Sequence, residues 1–118
     1  RVYVASLVPD RITLKACFAT QEALFDVAWN EANRSHVAVA GGDGLVQLWD
    51  VGGPHPQPLQ RFAEGCKHEV FSVNWNLVTK ESFATGCWDT TCKVWDPSRV
   101  EALHAYKEHM KEVYEVQW

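Results

Sequence analysis

The sequence predicts an all-β chain assembled from repeated four-stranded units, and three observations carry that expectation. Residues 25–50 and 71–96 align without a gap at an offset of 46. Eight positions are identical: Phe25/Phe71, Val27/Val73, Trp29/Trp75, Asn30/Asn76, Ala38/Ala84, Asp43/Asp89, Trp49/Trp95 and Asp50/Asp96. The run Tyr114-Glu115-Val116-Gln117-Trp118 then repeats Phe71-Ser72-Val73-Asn74-Trp75 after a further 43 residues. Finally, short apolar runs bounded by Gly, Asp, Asn and Pro recur along the chain, and nowhere does apolar spacing follow a helical period.

A repeat of about 40–45 residues closing on Trp-Asp is the signature of a β-propeller blade of the WD-repeat type. The first full blade, residues 24–62, is expected to carry strands at 24–29, 36–41, 45–50 and 58–62. The second, residues 63–106, should carry them at 70–75, 82–87, 91–96 and 102–106. Residues 107–118 open a further blade with a strand at 113–118. Residues 1–23 read as the tail of a preceding blade or as ring-closing strands. There Val2-Tyr3-Val4 stands one period before Leu48-Trp49-Asp50, and Ile12 to Phe18 forms an outer strand. The fold class is thus a WD-repeat β-propeller fragment of about two and a half four-stranded blades, against the roughly four to eight that close a ring. Beginning at Arg1 and stopping inside an inner strand, the 118 residues are expected to be part of a longer protein. Cut strand edges would make them a poor monomer alone.

Composition is that of a globular protein, 47% apolar and 22% charged, with six Trp. A net charge of -4 argues against nucleic acid as a partner. No apolar run approaches the ~18–20 residues that span a bilayer, so direct membrane insertion is not expected. The four cysteines, Cys17, Cys66, Cys87 and Cys92, lack C-x-x-C spacing and are expected to be reduced thiols. Cys17, Cys87 and Cys92 lie in strands as small apolar residues. Cys66 with His68 supplies too few ligands for a structural zinc, and no cofactor is expected.

Gly42-Asp43-Gly44 and Trp88-Asp89-Thr90 read as tight hairpin turns. The Pro/Gly-rich stretch 51–58 falls where the loop between third and fourth strands belongs. Asp43 and Asp89 resemble catalytic carboxylates, but in WD repeats the turn Asp joins a His, a Ser/Thr and the repeat Trp in a structural tetrad. The physical reason is that a buried carboxylate needs hydrogen-bond partners. That pattern assigns Asp89, Thr85 and Trp95 in the second blade, and Asp43 with Trp49 in the first. The His position, nine residues before the inner-strand Trp, holds Cys66 in the second blade and Thr20 in the first. Only the third copy keeps it, as His109. His68 is the alternative imidazole in the second blade. No G-x-S-x-G, H-E-x-x-H or phosphate loop is present, and no enzyme activity is expected.

Propellers bind partners on the face that carries the start of each inner strand and the turn before the repeat Asp. That rule selects Ala23, Phe25 and Gly42 in the first repeat, Glu69, Phe71 and Trp88 in the second, and Glu112 and Tyr114 in the third, with Phe25, Glu69, Phe71, Trp88, Glu112 and Tyr114 as the candidate contacts. Aromatic rings with two carboxylates, converging from adjacent blades, suit an amphipathic helix bearing basic residues. The competing reading is that Phe25, Phe71 and Tyr114 only pack between blades.

Two kinds of WD-repeat protein are resembled. Trp95-Asp96-Pro97-Ser98-Arg99 approximates the Trp-Asp-x-Arg ending of ubiquitin-ligase substrate adaptors, with its Arg one position late. This keeps a generic scaffold or adaptor as the alternative. The runs Leu24-Phe25-Asp26-Val27-Ala28-Trp29, Gly42-Asp43-Gly44-Leu45-Val46-Gln47-Leu48-Trp49-Asp50 and Pro58-Leu59-Gln60 look instead like the peroxisomal import receptors for the type 2 targeting signal. So do Glu69-Val70-Phe71-Ser72-Val73-Asn74-Trp75, Gly86-Cys87-Trp88-Asp89-Thr90-Thr91 and Lys93-Val94-Trp95-Asp96-Pro97. This resemblance implies a receptor of the cytosol and peroxisome that binds an N-terminal helical signal on cargo proteins. It also implies a co-receptor peroxin and docking proteins at the peroxisomal membrane. On that reading Glu69 and Glu112 meet the basic signal residue, while Phe71, Trp88 and Tyr114 pack on its apolar positions.

Overall fold

The computed structural model describes residues 1–63 and 66–118. A hairpin of β1 (Val2–Val8) and β2 (Arg11–Phe18) comes first. It is followed by a four-stranded antiparallel sheet in chain order, β3 (Leu24–Trp29), β4 (His36–Gly41), β5 (Val46–Asp50) and β6 (Gln57–Phe62). A second such sheet contains β7 (Val70–Trp75), β8 (Phe83–Cys87), β9 (Cys92–Trp95) and β10 (Ala102–Tyr106). Among the described residues there is no helix.

The reason the sheets stack is legible in β4, which is buried on both faces. Val37 and Val39 point one way, with Trp49 and Val51, and enclose Phe18 together with Val2 and Val4 of the hairpin. Ala38 and Ala40 point the other way, with Val46, Leu48 and Phe62, against Val70, Val73, Trp75, Phe83 and Trp95 of the second sheet. Alternating side chains place successive residues on opposite faces. Small alanines on one face leave room for the aromatics of the next sheet, and each large side chain so buried contributes about 1.5–3 kcal/mol. The pattern recurs one repeat later, where Ala84 and Gly86 take the places of Ala38 and Ala40. A Cβ on Gly86 would lie 2.9 Å from a Val113 methyl, so the following segment approaches closely only because that side chain is missing.

The hairpin stands against the first sheet as β5 and β6 stand against the second. Val2 pairs with Phe18 as Val46 pairs with Phe62. Phe18 stacks on Trp49 at 4.1 Å, and Phe62 meets Trp95 edge-on at 5.5 Å. Val2 therefore occupies the place of Val46, not that of Leu48 as the sequence offset suggests. The tight turn at Pro9-Asp10 sets this register.

Residues 113–118 were expected to form an inner strand. They run beside β7 but form no strand ladder, because no described strand pairs with their outer side. Their main chain is held by single bonds: Val113 N–H to the Cys87 carbonyl at 3.2 Å, Val116 N–H to Ser72 Oγ at 3.3 Å and Trp118 N–H to Asn74 Oδ1 at 3.4 Å.

Candidate functional site

One main-chain bond organises the face selected from sequence, and it occurs twice. Gly42 N–H donates to the Ala23 carbonyl and Trp88 N–H to the Glu69 carbonyl, both at 2.9 Å. The turn after each second strand is thereby tied to the residue preceding each inner strand. Glu69, Phe71 and Trp88 come together for this reason, although 19 residues separate the ends of the set.

Phe71 is the centre of a four-ring cluster. Its ring lies 4.7 Å from Phe25, 5.5 Å from Trp88 and 5.3 Å from Tyr114, measured between centroids. The three residues Phe25, Phe71 and Tyr114 come from three consecutive repeats, so the rings do pack between blades. They remain open to solvent as well: Phe25 is 45% exposed, Trp88 41% and Tyr114 64%. An exposed aromatic row of this kind is what a docking surface needs, since rigid rings bury much area at low entropic cost.

Glu112 adds charge at the edge of the row. Its carboxyl is held below its ordinary value by hydrogen bonds from its own backbone N–H and from the Trp88 indole. Glu69 joins the site through its carbonyl, with its side chain half-buried.

The tetrad residues fall into separate pairs. The Trp95 indole donates to Thr85 Oγ1 at 2.9 Å in a buried bond. Asp89 turns away from it and accepts from the Thr91 N–H at 3.1 Å and from the Thr91 hydroxyl. In the first blade Asp43 is exposed and accepts the Leu45 N–H at 3.2 Å. Trp49, having no hydroxyl partner at Val39, donates to Gln47 Oε1 at 3.0 Å. His109 is exposed. In the second blade, where Cys66 already stood at the His position, the assigned Asp89, Thr85 and Trp95 thus make two separate bonds, and His68 enters through its carbonyl.

The expectation of reduced thiols at Cys66 and Cys87 is overturned. The two form a disulfide across 21 residues of sequence. Cys17 and Cys92 are free, and burial together with the Glu108 carboxylate pushes the Cys92 thiol up. Cys66 and Cys87 come together where the segment before β7 folds over the end of β8, a juxtaposition that spacing alone does not reveal. Asp89 lies close to both sulfurs. With the sulfurs joined to each other, neither offers a thiolate to a metal.

Two further features were missed. Lys93 is buried at 6% exposure, with its ammonium 5.8 Å from the Trp95 ring centre. The inner strands are also cross-linked by polar groups: Asp26 Oδ2 accepts the Val73 N–H at 2.9 Å, as Ser72 Oγ accepts that of Val116. The 26/72 alignment was the available signal, since a polar residue recurs there between apolar neighbours on both strands.

Comparison with known proteins agrees with this architecture. Residues 57–96 match the family model "WD domain, G-beta repeat". The chain is 42% identical over 98 residues to the peroxisomal targeting signal 2 receptor of Dictyostelium discoideum, covering 82% of this chain and 31% of that protein. The receptor of the same name from Saccharomyces cerevisiae is 43% identical over 93 residues, 79% of this chain and 24% of that protein. The one from Homo sapiens is 36% identical over 115 residues, 95% of this chain and 35% of that protein. The chain spans about a quarter to a third of the length of these curated relatives.

Proposed function

We propose that this WD-repeat chain, related along most of its length to peroxisomal targeting signal 2 receptors, is the part of such a receptor that contributes one sector of the cargo-binding face. The protein recognises the N-terminal type 2 signal of cargo and delivers it to the peroxisomal matrix, cycling between cytosol and peroxisome. It acts by binding and not by catalysis. Its partners are cargo proteins, a co-receptor peroxin and docking proteins at the peroxisomal membrane.

The observation that carries this reading is the exposed ring row centred on Phe71 with Glu112 fixed at its edge. A helical peptide lays an apolar face on such a row, reading positions one turn apart. A basic residue on the same helix then meets Glu112 and Glu69. Charges of this sort govern which peptide is accepted more than how tightly it is held.

Fluorescence anisotropy of a labelled type 2 signal peptide against the full-length protein, with and without co-receptor, tests the reading. Saturable binding is expected, lost when the basic peptide residue is replaced by Glu. Reversing Glu69→Lys and Glu112→Lys should abolish binding and leave the fold intact. Absence of binding with co-receptor present would overturn the reading, and unchanged affinity in the reversed variants would remove both residues from the site.

A further inference from the structure

The disulfide joins the two segments that lead into the proposed recognition face. Cys66 opens the segment leading to Glu69 and Phe71, and Cys87 immediately precedes Trp88. The Cys87 carbonyl accepts the Val113 N–H of the next repeat. On the other side, the carbonyls of Cys66 and His68 lie against Gly44 in the turn of the preceding repeat. A Cβ at Gly44 would stand 2.7 and 2.9 Å from these oxygens. One covalent bond thus sits where three consecutive repeats meet.

Nothing equivalent exists in the first blade, where Thr20 and Gly41 hold the corresponding positions. There the Thr20 hydroxyl donates to the Glu22 carbonyl at 3.1 Å. The Cys66 sulfur holds the same relation to the His68 carbonyl, also at 3.1 Å, and the Cys87 sulfur is 3.7 Å from that oxygen. A disulfide sulfur has no proton to donate. Opened to a thiol, Cys66 has an acceptor already in position, as the Thr20 hydroxyl has in the first blade. Both redox forms are therefore compatible with the fold. The two sulfurs also differ in access, since Cys66 is half-exposed and Cys87 is 2% exposed.

We propose that Cys66 and Cys87 form a redox-operated staple that orders the Glu69–Trp88 portion of the face when oxidised and releases it when reduced. Its effect on cargo binding rests on the receptor reading above. Oxidation uses a low-molecular-weight disulfide such as oxidised glutathione. The Cys66 thiolate attacks one sulfur of the small disulfide and expels a small thiol, forming a mixed disulfide. The Cys87 thiolate then attacks Cys66 Sγ and expels the second small thiol. Two protein thiols lose two electrons and two protons, and one small disulfide becomes two thiols. Reduction runs in reverse, entering at the accessible Cys66 sulfur.

The test equilibrates the full-length protein in glutathione buffers of graded ratio. Thiols are trapped by differential alkylation and mass spectrometry, and amide hydrogen exchange is followed across 66–70 and 87–91. Peptide anisotropy is read in parallel. Oxidation should slow exchange at the Trp88 amide by about tenfold and tighten peptide binding by about tenfold. Cys66→Ser should match reduced wild type in both states, whereas Cys17→Ala should keep the full response. A pair that stays reduced throughout, or equal exchange in both states, overturns the staple, and equal peptide affinity overturns its control of binding. If the peptide binds neither form, the receptor reading fails, while the exchange measurement still decides the staple.

Discussion

The Trp75 indole N–H donates to the Ala28 carbonyl of the preceding blade at 3.1 Å, and Trp118 makes the same 3.1 Å bond to the Asn74 carbonyl one repeat on. The repeat Trp is therefore a joint between blades as well as core filling. Trp29 instead donates locally to the Arg34 carbonyl at 2.9 Å. Trp75→Phe keeps an aromatic ring beside Phe83 but removes the donor. Loss of this partly buried bond should cost about 1–2 kcal/mol. Chemical denaturation of the full-length protein would show it as a lower midpoint with unchanged slope.

Thr85 presents the complementary case within one blade. Thr85→Val preserves shape while leaving the buried Trp95 N–H without its acceptor. A loss of about 1–3 kcal/mol is expected. Thr85→Ser retains the oxygen and should recover most of the difference in urea midpoint. A Val variant as stable as wild type beside a destabilised Ser variant would show that methyl packing, not the hydrogen bond, sets the requirement.

Gly44 and Thr90 occupy the same turn position and share a left-handed backbone, at φ 77° and 71°. Glycine adopts that region freely, while a β-branched residue is strained there. Thr90→Gly should stabilise the protein by about 1 kcal/mol. Gly44→Ala should destabilise it by at least that much, because its Cβ also meets the Cys66 and His68 carbonyls. Thermal melts of the two variants should therefore shift in opposite directions.

The Glu112 carboxyl is depressed below its ordinary value of 4.5. The stabilisation this represents is present above 4.5 and is lost as pH falls through the lowered folded value. Trp88 emission should change over that acid window, since protonation weakens the acceptor its indole uses. Glu112→Gln should flatten the titration, and a transition that persists unaltered would assign it to another carboxylate.

Much of the face was legible in the sequence because a gapless repeat carries register with it. Once Phe25 and Phe71 align, the turn bonds at Gly42 and Trp88 follow from strand length alone. The ring contacts of Phe71 required only that neighbouring blades stack in order. The tetrad was less legible. Its donors and acceptors depend on a few tenths of an ångström of side-chain reach, and substitution at Thr20, Val39 and Cys66 reroutes each bond separately. Hence Asp89 pairs with Thr91, and Trp49 with Gln47.

The sequence by itself determined the all-β repeat, the boundaries of most strands and the set of residues on one rim, because alternation and periodicity are properties of local order along the chain. Only the tertiary structure decided which of those residues touch. Cys66 meets Cys87, Trp88 meets Glu112, Asp26 meets Val73 and Lys93 lies over Trp95. Each of these contacts depends on how a segment folds over its neighbour, and in the Asp26 case on how one blade stacks on the next. A periodic pattern fixes which face a side chain takes, but the distance across a packed interface is set by the volumes filling it.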